Sequence, residues 1–117
     1  EKWAVQPQVV VVEPDRAPCL QNSAKAGKLV PGSGPVSNMG RLDCKNASMI
    51  AFEALRHDAD VFMTISDEAA AQAVTILERH DIATTPSGAA GLAGLIALEP
   101  GADSRSMIVV SEGPEHG

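Results

Sequence analysis

Small hydroxyl side chains set beside glycines mark the places where this sequence could do chemistry. Two stand out, Thr85-Pro86-Ser87-Gly88 and Ser111-Glu112-Gly113. A glycine lets the backbone approach a flat or anionic ligand closely, and the neighbouring hydroxyl can hydrogen-bond to it. Two acidic places accompany them, Glu13-Pro14-Asp15 and Ser66-Asp67. The spacing of Cys19 and Cys44 matches neither a CxxC redox pair nor a zinc knuckle, and two cysteines are too few for a disulfide scaffold. Both read as free thiols in a reducing compartment. His57, His80 and His116 lie far apart in sequence. The first two fall at predicted helix ends, where cations are favoured, and none is assigned to catalysis.

The elements that must position these residues can be read from the apolar pattern. Residues 8–13 are a continuous β-branched run closed by Pro14, and residues 60–65 are a second apolar run. Runs without alternation suit strands buried on both faces of a parallel sheet. Residues 107–110 predict a third strand of the same kind. Between the strands, Pro18 and Gly27 bracket a short helix over 18–26. Ser48 caps a helix running to about His57. Ser66 caps another whose first turn holds Asp67 and Glu68 and whose buried face is Ala70, Ala73, Val74 and Leu77. Ser87 is read as opening a helix over 88–98 that is apolar all round and so belongs in a core or an interface. It carries Gly88, Gly91 and Gly94. Each costs a helix about 1 kcal/mol relative to alanine, a cost that close backbone packing would offset.

Strands alternating with helices predict an α/β fold, a three-layer αβα arrangement with a mainly parallel sheet. Ligands in such sheets sit beyond the carboxyl ends of the strands, where Glu13-Pro14-Asp15, Ser66-Asp67 and Ser111-Glu112-Gly113 all fall. A chain of 117 residues has room for one domain with a core. With Trp3, Phe52 and Phe62 as its aromatics, that core must be aliphatic. The net charge of −6 comes with no basic cluster, which argues against a nucleic-acid surface. No apolar run approaches the ~20 residues that span a bilayer, and no signal peptide opens the chain, so a cytoplasmic protein is expected.

Taken in order, several segments resemble the fold type II pyridoxal-phosphate enzymes, the group that includes tryptophan synthase β, threonine dehydratase and serine racemase. Within it they are most similar to the diaminopropionate ammonia-lyases. The strand at Val9–Glu13 is followed by Cys19 and Ser23-Ala24-Lys25-Ala26-Gly27. Thr85-Pro86-Ser87-Gly88-Ala89-Ala90-Gly91 resembles the family's Ser-Gly-Ala helix start, and Met107–Gly113 its closing strand and Ser-Glu-Gly turn. Asn38-Met39-Gly40-Arg41-Leu42-Asp43-Cys44-Lys45 falls where relatives carry a loop facing the substrate.

The resemblance implies a pyridoxal phosphate cofactor in the full-length enzyme. It also implies a small amino acid as substrate, ammonia loss by β-elimination and a homodimer. Residues 1–117 would form a single partial domain, the C-terminal portion of the cofactor-binding domain. The family's Schiff-base lysine and glycine-rich phosphate loop precede this span. No catalytic residue is therefore assigned within the chain, and by itself it is expected to be inactive and to hold no cofactor. Ser111 is the implied partner of the cofactor's ring nitrogen, although a serine ending a strand also satisfies backbone groups. Ser87 and Gly88 would lie beside the ring, with a plain helix cap as the alternative reading. Some relatives hold a cation with a glutamate, a carbonyl four residues on and an aspartate six on. Here those positions are Glu13, Ala17 and Cys19, and a thiol is a poor ligand for a hard cation, so no metal is expected. Cys44, Asp43 and Lys45 fall in the substrate loop, where Lys45 and Arg41 could activate the thiol, or the charges could simply be solvated. The loop over residues 28–47 is expected to be loosely ordered. A self-contained α/β nucleotide- or regulator-binding module is the alternative function, weakened because GxGxxG is missing and no lysine follows the last strand.

Overall fold

Apolar strand-forming runs need a neighbouring strand, and in this protein two of them find each other. The computed structural model describes residues 7–31, 35–43 and 48–114. Strand β1 (Val10–Pro14) pairs in parallel with β2 (Val61–Ile65), in register from Val10 opposite Val61 to Pro14 opposite Ile65. The crossover between them carries helix α1 (Cys19–Ala26), a 3-10 turn (Gly40–Leu42) and helix α2 (Met49–Asp58). Helices α3 (Asp67–Glu78) and α4 (Pro86–Leu98) follow β2. The α/β architecture with a parallel sheet is the one the sequence predicts.

The helix boundaries follow local chemistry. Gly27 ends α1 in the left-handed conformation at φ 74°, which a side chain would resist. Ser48 Oγ accepts from Ala51 N at the start of α2, and Ser66 Oγ accepts from Ala69 N at the start of α3. Both are the caps expected from sequence. The start of α4 differs. Thr85 is its cap, with Oγ1 accepting from Gly88 N at 3.2 Å, and Pro86 occupies the first turn. Proline there loses no helical bond and pre-sets φ, so the helix begins before Ser87, and Ser87 is freed from capping.

Helix α4 lies against both strands and pairs with α3. The core is built mainly of small residues: Ala70, Ala73 and Leu77 of α3, and Ala89, Ala90 and Ala93 of α4, with Ile65 and Met39. Val74 packs against it, completing the α3 face read from the sequence. Gly94 explains one costly glycine. A Cβ built there meets Val12 Cγ2 at 2.5 Å and Met63 Sδ at 3.4 Å, so α4 sits on the sheet at a distance that only glycine allows. Val12 and Met63 are register partners and share that face.

Two expectations are corrected. Residues 107–110 do not form a strand; they run extended along α4, with Ile108 Cβ 3.4 Å from where a Gly91 Cβ would stand. Met107 and Val109 are 85% and 71% exposed, while Ile108 and Val110 turn inward. This segment therefore has the side-chain alternation of a strand but no ladder partner among the described residues, and a strand without a ladder is not a strand. Nor are the two paired strands buried on both faces. Only their carboxyl ends, Glu13-Pro14 and Ile65, are fully buried, because a two-stranded sheet has two open edges. Among the described residues no helix is long and apolar enough to cross a membrane.

Candidate functional site

The carboxyl ends of the parallel strands β1 and β2 lie on one side of the sheet, and the two segments that follow them are joined by a third at the start of α4. After β1, Glu13 folds back on the chain. Its Oε2 accepts from Leu20 N at 2.8 Å and from Cys19 Sγ at 3.5 Å, and its Oε1 accepts from Gln21 N at 2.9 Å. The helix α1 has no side-chain cap of its own, since Pro18 cannot supply one. A buried carboxylate on the preceding strand does that work and complements the helix dipole. Glu13 is thus committed to α1, and among the described residues no group of three His, Cys, Asp or Glu side chains could hold a metal ion.

After β2, Asp67 reaches across to the loop before the 3-10 turn. Its carboxylate accepts from Ser37 Oγ at 2.7 Å and Asn38 N at 2.9 Å, and Arg16 NH1 stands 3.7 Å away while donating to Val36 O at 2.9 Å. Asn38 Nδ2 returns a bond to Asp67 O at 3.1 Å. Met39 behind them is fully buried in the core. Within residues 35–43 of that loop, polar clamps hold one side and a core side chain holds the other. Cys44 and Lys45 lie outside the described residues, as does His116.

Burial alone pushes the Asp67 carboxyl up, but the Ser37 and Asn38 hydrogen bonds and the Arg16 charge outweigh it and hold the group below its ordinary 3.8. A depressed folded-state pKa stabilises the protein above the unfolded value, and that stabilisation is lost as pH falls through the folded value. Thermal melts from about pH 6 down to about pH 3 should therefore fall more steeply for the wild type than for Asp67→Asn. At neutral pH the variant should be about 1–3 kcal/mol less stable. Parallel curves over that range would dismiss Asp67 as the loop's anchor.

The third segment joins at the start of α4. Ser87 Oγ accepts from Arg41 N at 3.0 Å, tying the 3-10 turn to the helix. Glu112 is held three times. Its carbonyl accepts from Thr84 Oγ1 at 2.6 Å, its Oε1 accepts from Thr85 Oγ1, and its Oε2 stands 3.7 Å from Arg41 Nε. Gly88 makes this possible, because a Cβ there would collide with Thr84 Oγ1 and lie 3.1 Å from Glu112 O. Ser111, one residue earlier, is exposed, and its hydroxyl has no partner among the described residues. The structure thus brings Ser87, Gly88 and the Ser111-Glu112 turn together. Lys25 and Lys28 are exposed at the C-terminal end of α1, the end away from Glu13.

The positioning residues mostly stand in segments that sequence reasoning singles out, but their partners do not show in the sequence. The sequence marks Asp67 as an acidic residue beyond a strand end and as a dipole partner of α3, but not as the anchor of the 35–43 loop. Thr84 and Thr85 carry one usable signal, two hydroxyls ahead of a proline-started helix. Met39 carries none, because a methionine in a glycine- and proline-rich stretch gives no periodicity to read.

A family model described as pyridoxal-phosphate dependent enzyme matches residues 1–112. Diaminopropionate ammonia-lyase of Escherichia coli (strain K12) is 33% identical over 95 residues, which are 76% of this chain and 24% of that protein. The chain thus spans about a quarter of the length of the curated relatives it matches. Among solved structures, the T.th. threonine deaminase superposes with a TM-score of 0.71 at 27% identity, covering 77% of this chain and 34% of that one. A fungal L-serine ammonia-lyase from Rhizomucor miehei gives 0.67 at 28% identity, covering 78% and 29%.

Proposed function

The chain belongs to the pyridoxal-phosphate dependent enzymes, and from that premise we propose that it is the C-terminal part of the cofactor-binding domain of an ammonia-lyase or dehydratase. Its substrate is a small amino acid, undergoing β-elimination as in diaminopropionate ammonia-lyase, and the whole enzyme is a cytoplasmic homodimer. The observation that carries the reading is Ser111: an exposed hydroxyl without a partner among the described residues, on a turn anchored through Glu112 to the start of α4. Those features fit the ring end of the cofactor.

When bound, pyridoxal phosphate supplies an electron sink that lets a substrate lose its α-proton. This chain's own part is positioning. The Ser111 hydroxyl would donate to the ring nitrogen and, being neutral, would leave it unprotonated, where a carboxylate would hold a proton there. Ser87 and Gly88 would lie beside the ring, with Gly88 letting the Glu112 backbone close onto the start of α4. The loop from Asn38 to Arg41 fronts the substrate, fixed by Asp67 and Ser87. The groups that take and return protons lie outside this chain.

In the complete enzyme Ser111→Ala should keep its cofactor and lose turnover by about 0.5–1.5 kcal/mol, the value of one neutral hydrogen bond. Ser111→Asp should shift the cofactor's absorption as well, since it favours a protonated ring. If both variants match wild-type rates and spectra, Ser111 is not the ring-nitrogen partner. The chain alone should take up no cofactor covalently, because Lys2, Lys25, Lys28 and Lys45 stand in none of the family's lysine contexts. Mixing it with pyridoxal phosphate, reducing with borohydride and weighing the product tests this, and a stoichiometric adduct on one lysine would overturn it.

A further inference from the structure

Glu112 stands beside the residue assigned to the ring nitrogen, yet its carboxylate is engaged by other side chains of this chain. Thr84 and Thr85, consecutive at the mouth of α4, grip its carbonyl and one carboxylate oxygen, and Arg41 faces the other at 3.7 Å. Arg41 also donates its backbone N–H to Ser87 Oγ, so one residue of the loop meets both α4 and the Ser111-Glu112 turn. Thr85 Oγ1 serves twice, donating to Glu112 and accepting from Gly88 N.

We propose that Glu112 is a positioning residue that locks the Ser111 turn, the start of α4 and the 37–42 loop into one unit. The side that meets the cofactor ring and the side that fronts the substrate then shift together or not at all. The linkage stands on the bonds above; its relevance to the cofactor rests on the reading of Ser111 given under the proposed function. The arrangement also keeps a carboxylate next to the ring partner from becoming the ring partner. The Thr85 hydroxyl and the Arg41 guanidinium engage it, one on each oxygen, so the neutral Ser111 hydroxyl is the group left to face outward.

Two isolating variants separate the parts. Glu112→Gln keeps an amide oxygen for Thr85 and removes the charge facing Arg41, whereas Glu112→Ala removes both. In the complete, cofactor-loaded enzyme, amide hydrogen exchange over residues 37–43 and 84–90 is compared with the wild type. Cofactor affinity, turnover and absorption are measured in parallel, with Ser111→Ala and Ser111→Asp beside them. For Glu112→Gln, exchange over 37–43 should quicken about two- to fivefold, as for loss of a largely exposed ion pair, and 84–90 should be unchanged. For Glu112→Ala both segments should quicken, about five- to tenfold, and cofactor affinity should fall. Unchanged exchange over 37–43 in both variants overturns the linkage. If that exchange responds while Ser111→Ala keeps wild-type turnover and Ser111→Asp keeps wild-type absorption, the linkage stands and the Ser111 assignment fails. A Glu112→Ala protein that does not fold leaves the decision to Glu112→Gln, where only the selective pattern supports the proposal.

Discussion

Gly94→Ala should destabilise the protein by about 1–3 kcal/mol even though alanine is the better helix former. The new methyl has nowhere to go. Its carbon would stand 2.5 Å from Val12 Cγ2 and 3.2 Å from Val12 Cγ1, and valine has a single stiff torsion with which to answer. Either α4 rises off the sheet, losing contact along its length, or Val12 leaves its rotamer. Gly91→Ala is the internal control. There the new carbon meets Ile108 Cβ at 3.4 Å, an ordinary contact, so the propensity gain should come through as about 0.5–1 kcal/mol of added stability. Urea denaturation with unchanged slope measures both. Two variants of equal stability would mean that α4 does not seat on the strands at Gly94.

Glu13→Ala should cost about 1–3 kcal/mol, and the loss should be concentrated in α1. Removing the carboxylate strands the N–H groups of Leu20 and Gln21 at a helix start where Pro18 offers no substitute. Glu13→Gln is the finer test, because it matches the shape but turns an amide towards donors that need an acceptor. It should therefore rescue only part of the loss. Hydrogen exchange localises the effect: amides of α1 should open well below the global unfolding free energy while α3 and α4 keep their protection. Uniform loss across the protein would argue that Glu13 holds the sheet rather than the helix.

These two positions show what can be read from the sequence and what cannot. The apolar runs of β1 and β2, the serine caps of α2 and α3 and the glycine after α1 are local signals, and each predicts its element because the physics behind it acts within a few residues. The glycines of α4 are legible as a demand for close packing, but not as Val12 and Met63, since those partners lie on strands far back in the chain. The run at 107–110 has strand composition and even strand alternation. What it lacks is a neighbour, which no property of the run itself can reveal. The candidate site divides in the same way. Ser87, Gly88 and Ser111 are found by residue type, and Gly88 and the Ser111-Glu112 turn do converge. The clamps that hold them, Asp67 on Ser37 and the two threonines on Glu112, span 27 to 30 residues and have no periodic signature.

The seam between α3 and α4 has a consequence of its own. Ala70, Ala73, Ala89, Ala90 and Ala93 have no side-chain torsions. A leucine core accommodates a disturbance by changing rotamers, and it loses entropy on folding for having had them; an alanine seam does neither. The two helices therefore have one way of fitting together, and any displacement of one must be carried by its backbone. Since α4 begins at Thr85, Ser87 and Gly88, the cap and the turn it grips inherit that stiffness. Heat or a bound ligand can move this corner of the molecule only as a rigid piece.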